Sequence, residues 1–164
     1  ALSEKGMFVS GNRVLLTKKG TEKTLQKKIS LPNLSFLAWG MWRVLGYVNR
    51  ISPLLLRIKS FPRKRKANKW EGAKSCNLSL YKVDFATVNG FDEAFQGWGH
   101  EDADLSARLI GNGCLRKDGR YFSPVIHLWH QENNRDLEED NIERLQAVLS
   151  GNRPVYAKDG IIKT

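Results

Sequence analysis

Glu101 and Asp102 are adjacent carboxylates that follow directly on Gly97-Trp98-Gly99-His100. A carboxylate set beside a hydroxyl can take its proton, so this pair suits general base chemistry on an alcohol. The glycines let the backbone turn tightly and approach a ligand closely. Trp98 between them offers a flat apolar face of the kind on which a sugar ring stacks. Glu101, Asp102 and Asp104 fall in the first turn of a predicted helix, whose buried stripe is Leu105, Leu109 and Ile110 and whose stop is Gly111-Asn112-Gly113. Each residue alone has a plain structural explanation, since the helix dipole favours acids in a first turn. Their combination points to a site for a hydroxyl-bearing substrate.

From Asn89 to Asp102 the order is Asn-Gly-Phe-Asp-Glu, a short spacer, then Gly-Trp-Gly-x-Glu-Asp. This stretch resembles the acceptor-site motif of GT-A glycosyltransferases in the family 2 and β-1,4-galactosyltransferase-like group. The resemblance implies that Trp98, between Gly97 and Gly99, lines the sugar site, that Glu101 binds the acceptor and that Asp102 is the catalytic base. It extends over about residues 6–16 and 70–160. It implies an α/β fold, the C-terminal half of a GT-A nucleotide-diphospho-sugar transferase domain, with a mixed sheet and flanking helices. Arg13 would then lie near an anionic group, with Asn12 also facing the cleft. Gly72 and Asn77 would border the donor sugar. A divalent metal, Mn²⁺ or Mg²⁺, would be held by His127, which follows Asp102 by 25 residues, or alternatively by His130. The segment Gln131 to Glu139 would be mobile and close over the donor. The partners implied are a nucleotide-sugar donor and a glycan or lipid-linked acceptor.

The resemblance also requires a nucleotide-binding half ending in Asp-x-Asp after a strand. That half is not recognisable in this sequence: Asp102-Ala103-Asp104 has the letters but opens a helix. The expectation is a fragment of a longer inverting enzyme, binding nucleotide poorly by itself. Two other classes stay open, a non-catalytic carbohydrate-binding module built on Trp98 and a membrane-docking module built on residues 29–70.

The elements that must position these residues follow from periodicity. Met7 to Leu16 reads as a strand interrupted at Gly11-Asn12, and Lys18 to Lys28 as a basic, polar connector. Leu34, Leu37, Ala38, Met41, Trp42, Leu45 and Val48 recur at helical steps, which predicts an amphipathic helix preceded by Pro32 and ended or kinked at Pro53. Trp70 to Leu80 reads as a loop entering a short strand and Lys82 to Val88 as a short helix. Cys114 to Arg116 and Tyr121-Phe122 read as strand pieces around an Asp118-Gly119 turn, and Ser123 to His130 as a strand. Asp136 is placed to cap a last helix with the stripe Ile142, Leu145 and Leu149. The whole, 1–164, reads as one domain, with 29–69 inserted and 70–160 as the acceptor and catalytic half.

Charge is uneven. The net is +10, yet residues 1–75 hold 17 Lys/Arg against 3 Asp/Glu. Arg43, Arg50 and Arg57 recur every seven residues, and Arg63-Lys64-Arg65-Lys66 forms a run. The uncharged run from Ile29 to Trp42, 14 residues, is too short to span a bilayer. A basic segment with Trp and Leu suits an anionic membrane surface; the alternative is a helical hairpin packed on the domain or on a second subunit. No nucleic-acid-binding motif is present. Cys76 and Cys114 lack metal-ligand spacing and read as free, buried thiols, with a single disulfide as the alternative. With no secretory signal visible, the expected location is cytoplasmic, peripheral on the inner face of a bacterial inner membrane, with a lipopolysaccharide or other lipid-linked acceptor.

Overall fold

The computed structural model describes residues 2–56, 58, 63–64 and 66–163. In chain order its regular elements are strands β1 (Met7–Ser10) and β2 (Arg13–Leu15), helices α1 (Lys18–Gln26), α2 (Phe36–Val44) and α3 (Ser52–Leu55), strand β3 (Leu78–Ser79), helices α4 (Lys82–Thr87) and α5 (Glu101–Gly111), strands β4 (Leu115–Asp118) and β5 (Val125–His127), and helix α6 (Glu138–Leu149). Short 3₁₀ turns stand at Leu31–Asn33 and Ser75–Asn77. The architecture is mixed α/β, and the chain divides into two compact units.

The first, called here the motif unit, comprises Ala1–Ser10, Pro62–Asp118 and Glu132–Thr164. Its sheet has the order β3-β1-β4. β1 is buried along its whole length, and both its edges are paired, with β3 and with β4. It pairs antiparallel with β3, Val9 opposite Ser79, and parallel with β4, Met7 opposite Leu115 through Ser10 opposite Asp118. Phe8 of β1 meets Val88, Cys114, Leu105 and Leu109 in the core, so the stripe predicted for α5 is the face it buries. That packing fixes where the helix begins, and with it the position of Glu101 and Asp102.

The second, the basic unit, comprises Gly11–Phe61 and Gly119–Gln131. Here β2 pairs parallel with β5, Arg13 opposite Val125 through Leu15 opposite His127. Its core is Val14, Leu16, Leu31, Trp39, Trp42 and Val48. Trp42 meets Trp39 and Tyr47 edge to face, with centroids 6.0 and 5.3 Å away, the arrangement aromatic quadrupoles favour.

Several expectations are corrected. Lys18–Gln26 is helix α1 and not a connector. Thr17 caps it by accepting from the Gly20 N–H at 3.2 Å, and its buried face is Gly20, Thr21 and Thr24, which carry no apolar periodicity. Gly20 is required there, because a Cβ would stand 2.2 Å from the Tyr47 carbonyl oxygen. The long amphipathic helix ends at Val44, where Gly46 takes φ +70° and the Tyr47 N–H closes back on the Trp42 carbonyl at 2.9 Å. Pro53 does not break it; it stands in the first turn of α3, where its missing N–H costs nothing. Tyr121-Phe122 is not a strand, and β4 pairs with β1 instead of forming a hairpin. The strand read over Ser123 to His130 is only β5. Asp136 does not cap α6; its carboxylate accepts from the Asn134 side-chain amide. The buried residues of α6 are Asn141 and Leu145, with Ile142 and Leu149 39% and 38% exposed. Both thiols are free, but Cys76 is exposed. Arg57 and Arg65 lie outside the described residues.

Candidate functional site

The loop before α5 is built from left-handed backbone. Gly97 takes φ +74°, Gly99 +106° and His100 +71°. Glycine adopts such angles without penalty, whereas His100 carries a side chain there at a cost of about 1–2 kcal/mol. This path lifts Trp98 between two glycines and starts the helix abruptly, with the Asp104 N–H donating to the His100 carbonyl at 2.8 Å.

The three first-turn acids separate into two kinds. Asp104 turns into the core, 1% exposed, and pairs with the equally buried Arg108 at 2.7 Å. Burial pushes its carboxyl above the ordinary carboxylate range, with Arg108 pulling the other way. Arg108 also donates to the Val88 carbonyl at 2.8 Å. Asp104 is therefore structural, which disposes of Asp102-Ala103-Asp104 as a metal-binding Asp-x-Asp. Glu101 and Asp102 remain half-buried at the helix start. Asp102 Oδ1 accepts from the Ser75 N–H at 2.9 Å, and the Asp102 carbonyl accepts from the Ser106 hydroxyl at 2.8 Å. The carboxylate is thus held in one orientation by the 3₁₀ turn Ser75–Asn77. Asn77, half-buried, stands at the end of that same turn.

A second segment clasps the loop. The Trp98 N–H donates to the Asn134 carbonyl at 2.9 Å, Asn133 Nδ2 to the Gly97 carbonyl at 3.1 Å, and Asn141 Nδ2 to the Gln96 carbonyl at 2.9 Å. A side chain at Gly97 would meet the Asn134 oxygen at 3.0 Å. Arg135 lies against the Trp98 ring, 3.6 Å from its centroid, and is itself paired with Glu132 at 2.7 Å and Glu138 at 3.3 Å. Within Gln131 to Glu139, Asn133, Asn134 and Arg135 contact the loop, and Asn141 of α6 adds a further bond.

The front of the motif is a latch. Asn89, buried at φ +59°, donates from Nδ2 to the Ala157 and Ile162 carbonyls at 2.7 and 2.8 Å and accepts from the Ile162 N–H at 2.8 Å. Asp92 is buried and pairs with Arg153 at 2.8 Å. These two residues hold the C-terminal segment. In the sequence Asn89 is the first residue of the motif, and nothing near it signals its hold on Ala157 and Ile162.

In the basic unit, His127 ends β5 and His130 follows it. Their Nε2 atoms are 3.1 Å apart. His130 Nδ1 lies 2.9 Å from the Gln131 carbonyl, which only accepts, so Nδ1 carries the proton and neutral His130 presents a bare Nε2. Burial first, then Arg13 and His130, holds His127 below the ordinary imidazole value and favours its neutral form. Arg13, on β2, accepts at its carbonyl from Arg50 at 2.8 Å. Metal–imidazole bonds of about 2.0–2.1 Å set neighbouring donors about 3 Å apart, so the pair fits two adjacent ligands of one divalent ion. Among the described residues no group of three or more His, Cys, Asp and Glu is placed to hold a metal. The structure thus gathers Trp98, Gly97, Gly99, Glu101, Asp102 and Asn77 in the motif unit, and Arg13, His127 and His130 in the basic unit.

Comparison with known proteins finds glycosyltransferases. A family model described as the N-terminal domain of galactosyltransferase matches residues 57–130. Validoxylamine A glucosyltransferase of Streptomyces hygroscopicus subsp. jinggangensis (strain 5008) is 48% identical over 44 residues, 27% of this chain and 10% of that protein. Human chondroitin sulfate synthase 3 is 41% identical over 51 residues, 31% of this chain and 6% of that protein. Human chondroitin sulfate N-acetylgalactosaminyltransferase 2 is 36% identical over 56 residues, 34% of this chain and 10% of that protein. No solved structure gives a significant match. The chain is thus similar, over part of its length, to glycosyltransferases, and the stretches matched span a tenth or less of the length of these curated relatives.

Proposed function

We propose that the protein is an inverting, metal-dependent hexosyltransferase that moves a sugar from a nucleotide-sugar donor to a glycan or lipid-linked acceptor. The observation that carries this reading is the sorting of carboxylates at the start of α5. Asp104 is consumed by Arg108, while Glu101 and Asp102 stay accessible beside Trp98. Asp102 takes the proton of the acceptor hydroxyl. The oxygen then attacks the anomeric carbon from the side opposite the nucleoside diphosphate, whose C–O bond breaks, so the anomeric configuration inverts. Ser75 holds Asp102 in orientation, Glu101 hydrogen-bonds the acceptor, and Trp98 stacks on its ring. Gly97 and Gly99 give the backbone approach. Asn77 borders the donor, and in the basic unit Arg13 would meet an anionic group. His127 and His130 would hold Mn²⁺ or Mg²⁺, which supplies Lewis-acid stabilisation of the departing diphosphate.

The relatives' names support the hexosyl assignment, since both glucosyl and N-acetylgalactosaminyl transfer are hexosyl transfers. The acceptor class proposed is a lipopolysaccharide core or other surface glycan, met at the cytoplasmic side of a bacterial inner membrane.

The test is Asp102→Asn. Asparagine keeps Oδ1 for the Ser75 N–H, so the fold persists, while transfer by the enzyme that carries this segment falls by about 10²–10⁴-fold. Undiminished transfer in that variant removes Asp102 as base.

A further inference from the structure

Helix α2 turns the wrong face outward for a protein in water. Trp39 and Trp42 are buried against the basic unit's core, but the opposite side of the helix is apolar too. Leu37 is 76% exposed, Met41 63%, Val44 87% and Leu45 54%, with Phe36 at 66%. Leu37, Met41 and Val44 recur at i, i+4 and i+7, so they form one continuous stripe. Leu37 and Met41 belong to the stripe that periodicity picks out, and the structure presents both to solvent. A helix apolar all round is normally enclosed. No helix among the described residues is long and apolar enough to cross a membrane.

The charge of the same unit names the occupant. Its sequence, residues 11–61 and 119–131, holds eleven Lys/Arg against one acid, Glu22. The motif unit holds sixteen of each, so the whole net charge of +10 resides in the basic unit. Lys18, Lys19, Lys27, Lys28, Arg43 and Arg50 are exposed on it. Arg43 immediately precedes Val44 on α2 itself. An anionic lipid surface satisfies both features at once, taking apolar side chains into its acyl boundary and neutralising cations at its headgroups. A nucleic acid would match the charge and leave the aliphatic stripe unburied.

We propose that α2 is a membrane-surface docking element, inserting Phe36, Leu37, Met41 and Val44 shallowly into an anionic bilayer while the surrounding cations hold the headgroups. This assignment is independent of whether Asp102 catalyses transfer.

The test uses the full chain with vesicles of phosphatidylcholine containing about 30% phosphatidylglycerol, against vesicles of phosphatidylcholine alone. Co-sedimentation is expected with the anionic vesicles and should weaken as salt rises. The double variant Leu37→Glu/Val44→Glu should bind at least about tenfold more weakly with an unchanged melting temperature, because both side chains project into solvent. Asp102→Asn should bind as the parent does. Absence of binding to anionic vesicles, or binding undiminished in the double variant, overturns the proposal. So does a parent chain that forms dimers in sedimentation velocity, falls to monomers in the double variant and ignores vesicles; the stripe is then a contact between copies. Tighter binding to a DNA duplex than to vesicles overturns it in favour of nucleic acid.

Discussion

The guanidinium carbon of Arg135 lies 3.6 Å from the centroid of the Trp98 ring. One face of the indole proposed to stack on a sugar is therefore occupied by a cation, which Glu132 and Glu138 hold in place. An acceptor ring using that face must displace Arg135. A cation–π contact at an exposed site contributes about 0.5–1 kcal/mol, so Arg135→Ala should lower the acceptor KM about two- to fivefold and leave kcat unchanged. Steady-state kinetics with the acceptor varied decides this. A KM that rises instead would mean that Arg135 itself contacts the acceptor.

Asn89 and the C-terminal segment form a second relationship of this kind. Its amide makes three hydrogen bonds to Ala157 and Ile162 from a left-handed backbone, and Gly160 passes so close that a Cβ there would overlap the Asn89 carbonyl. Asn89→Ala should destabilise the protein by about 2–4 kcal/mol, combining lost hydrogen bonds with backbone strain. Asn89→Gly removes the strain but not the lost bonds, so urea denaturation should place it about 1 kcal/mol above the alanine variant. Equal midpoints for the two variants would show that φ at this position carries no cost.

What was legible in the sequence and what was not divides along local and distant relationships. Glycines, an aromatic and acids within six residues announced the loop and its carboxylates, because backbone freedom and helix starts are local properties. The buried strand β1 and helix α5 were readable for the same reason, through uninterrupted and 3.6-residue apolar patterns. Helix α1 was not, since it buries glycine and threonine. The Asn89 latch and the Asp92–Arg153 pair join residues 68 and 61 positions apart, and nothing near either residue signals its partner. Periodicity on α2 grouped Leu37, Ala38, Met41 and Trp42 on one stripe, but of these only Trp42 is buried, together with Trp39 outside the stripe, because α2 is apolar on both sides.

The Asp104–Arg108 pair makes a thermodynamic prediction. Both side chains are 1% exposed, and Asp104 Oδ1 has no hydrogen-bond partner among the described residues. Arg108→Met strands a buried carboxylate and should cost about 3–5 kcal/mol. Asp104→Leu with Arg108→Met removes both charges, and the double variant should be more stable than Arg108→Met alone. It should still fall short of the parent by about 1 kcal/mol, because the Val88 carbonyl loses its donor. A double-variant cycle by urea denaturation measures this; strict additivity of the two changes would mean that the pair is not coupled.

The histidine pair makes the last prediction. The Nε2 atoms of His127 and His130 are 3.1 Å apart, so a neutral His127 with its proton on Nε2 donates to the bare Nε2 of His130, and a divalent ion between them would replace that proton. The Gln131 carbonyl accepts from His130 Nδ1–H, and the other neutral tautomer of His127, with its proton on Nδ1, leaves both Nε2 atoms free for a cation. Imidazole donors suit Mn²⁺, whereas Mg²⁺ prefers oxygen and retains its water. Mn²⁺ should therefore bind more tightly than Mg²⁺, and His127→Ala and His130→Ala should each weaken Mn²⁺ binding at least about tenfold. If both ligands act on one ion, the two losses will not add in the double variant, because the first removal already opens the chelate. Calorimetric titration of the chelator-treated protein with each ion measures these affinities. Mn²⁺ affinity unchanged in both single variants would leave the pair as a hydrogen-bonded end to β5 and move the metal elsewhere.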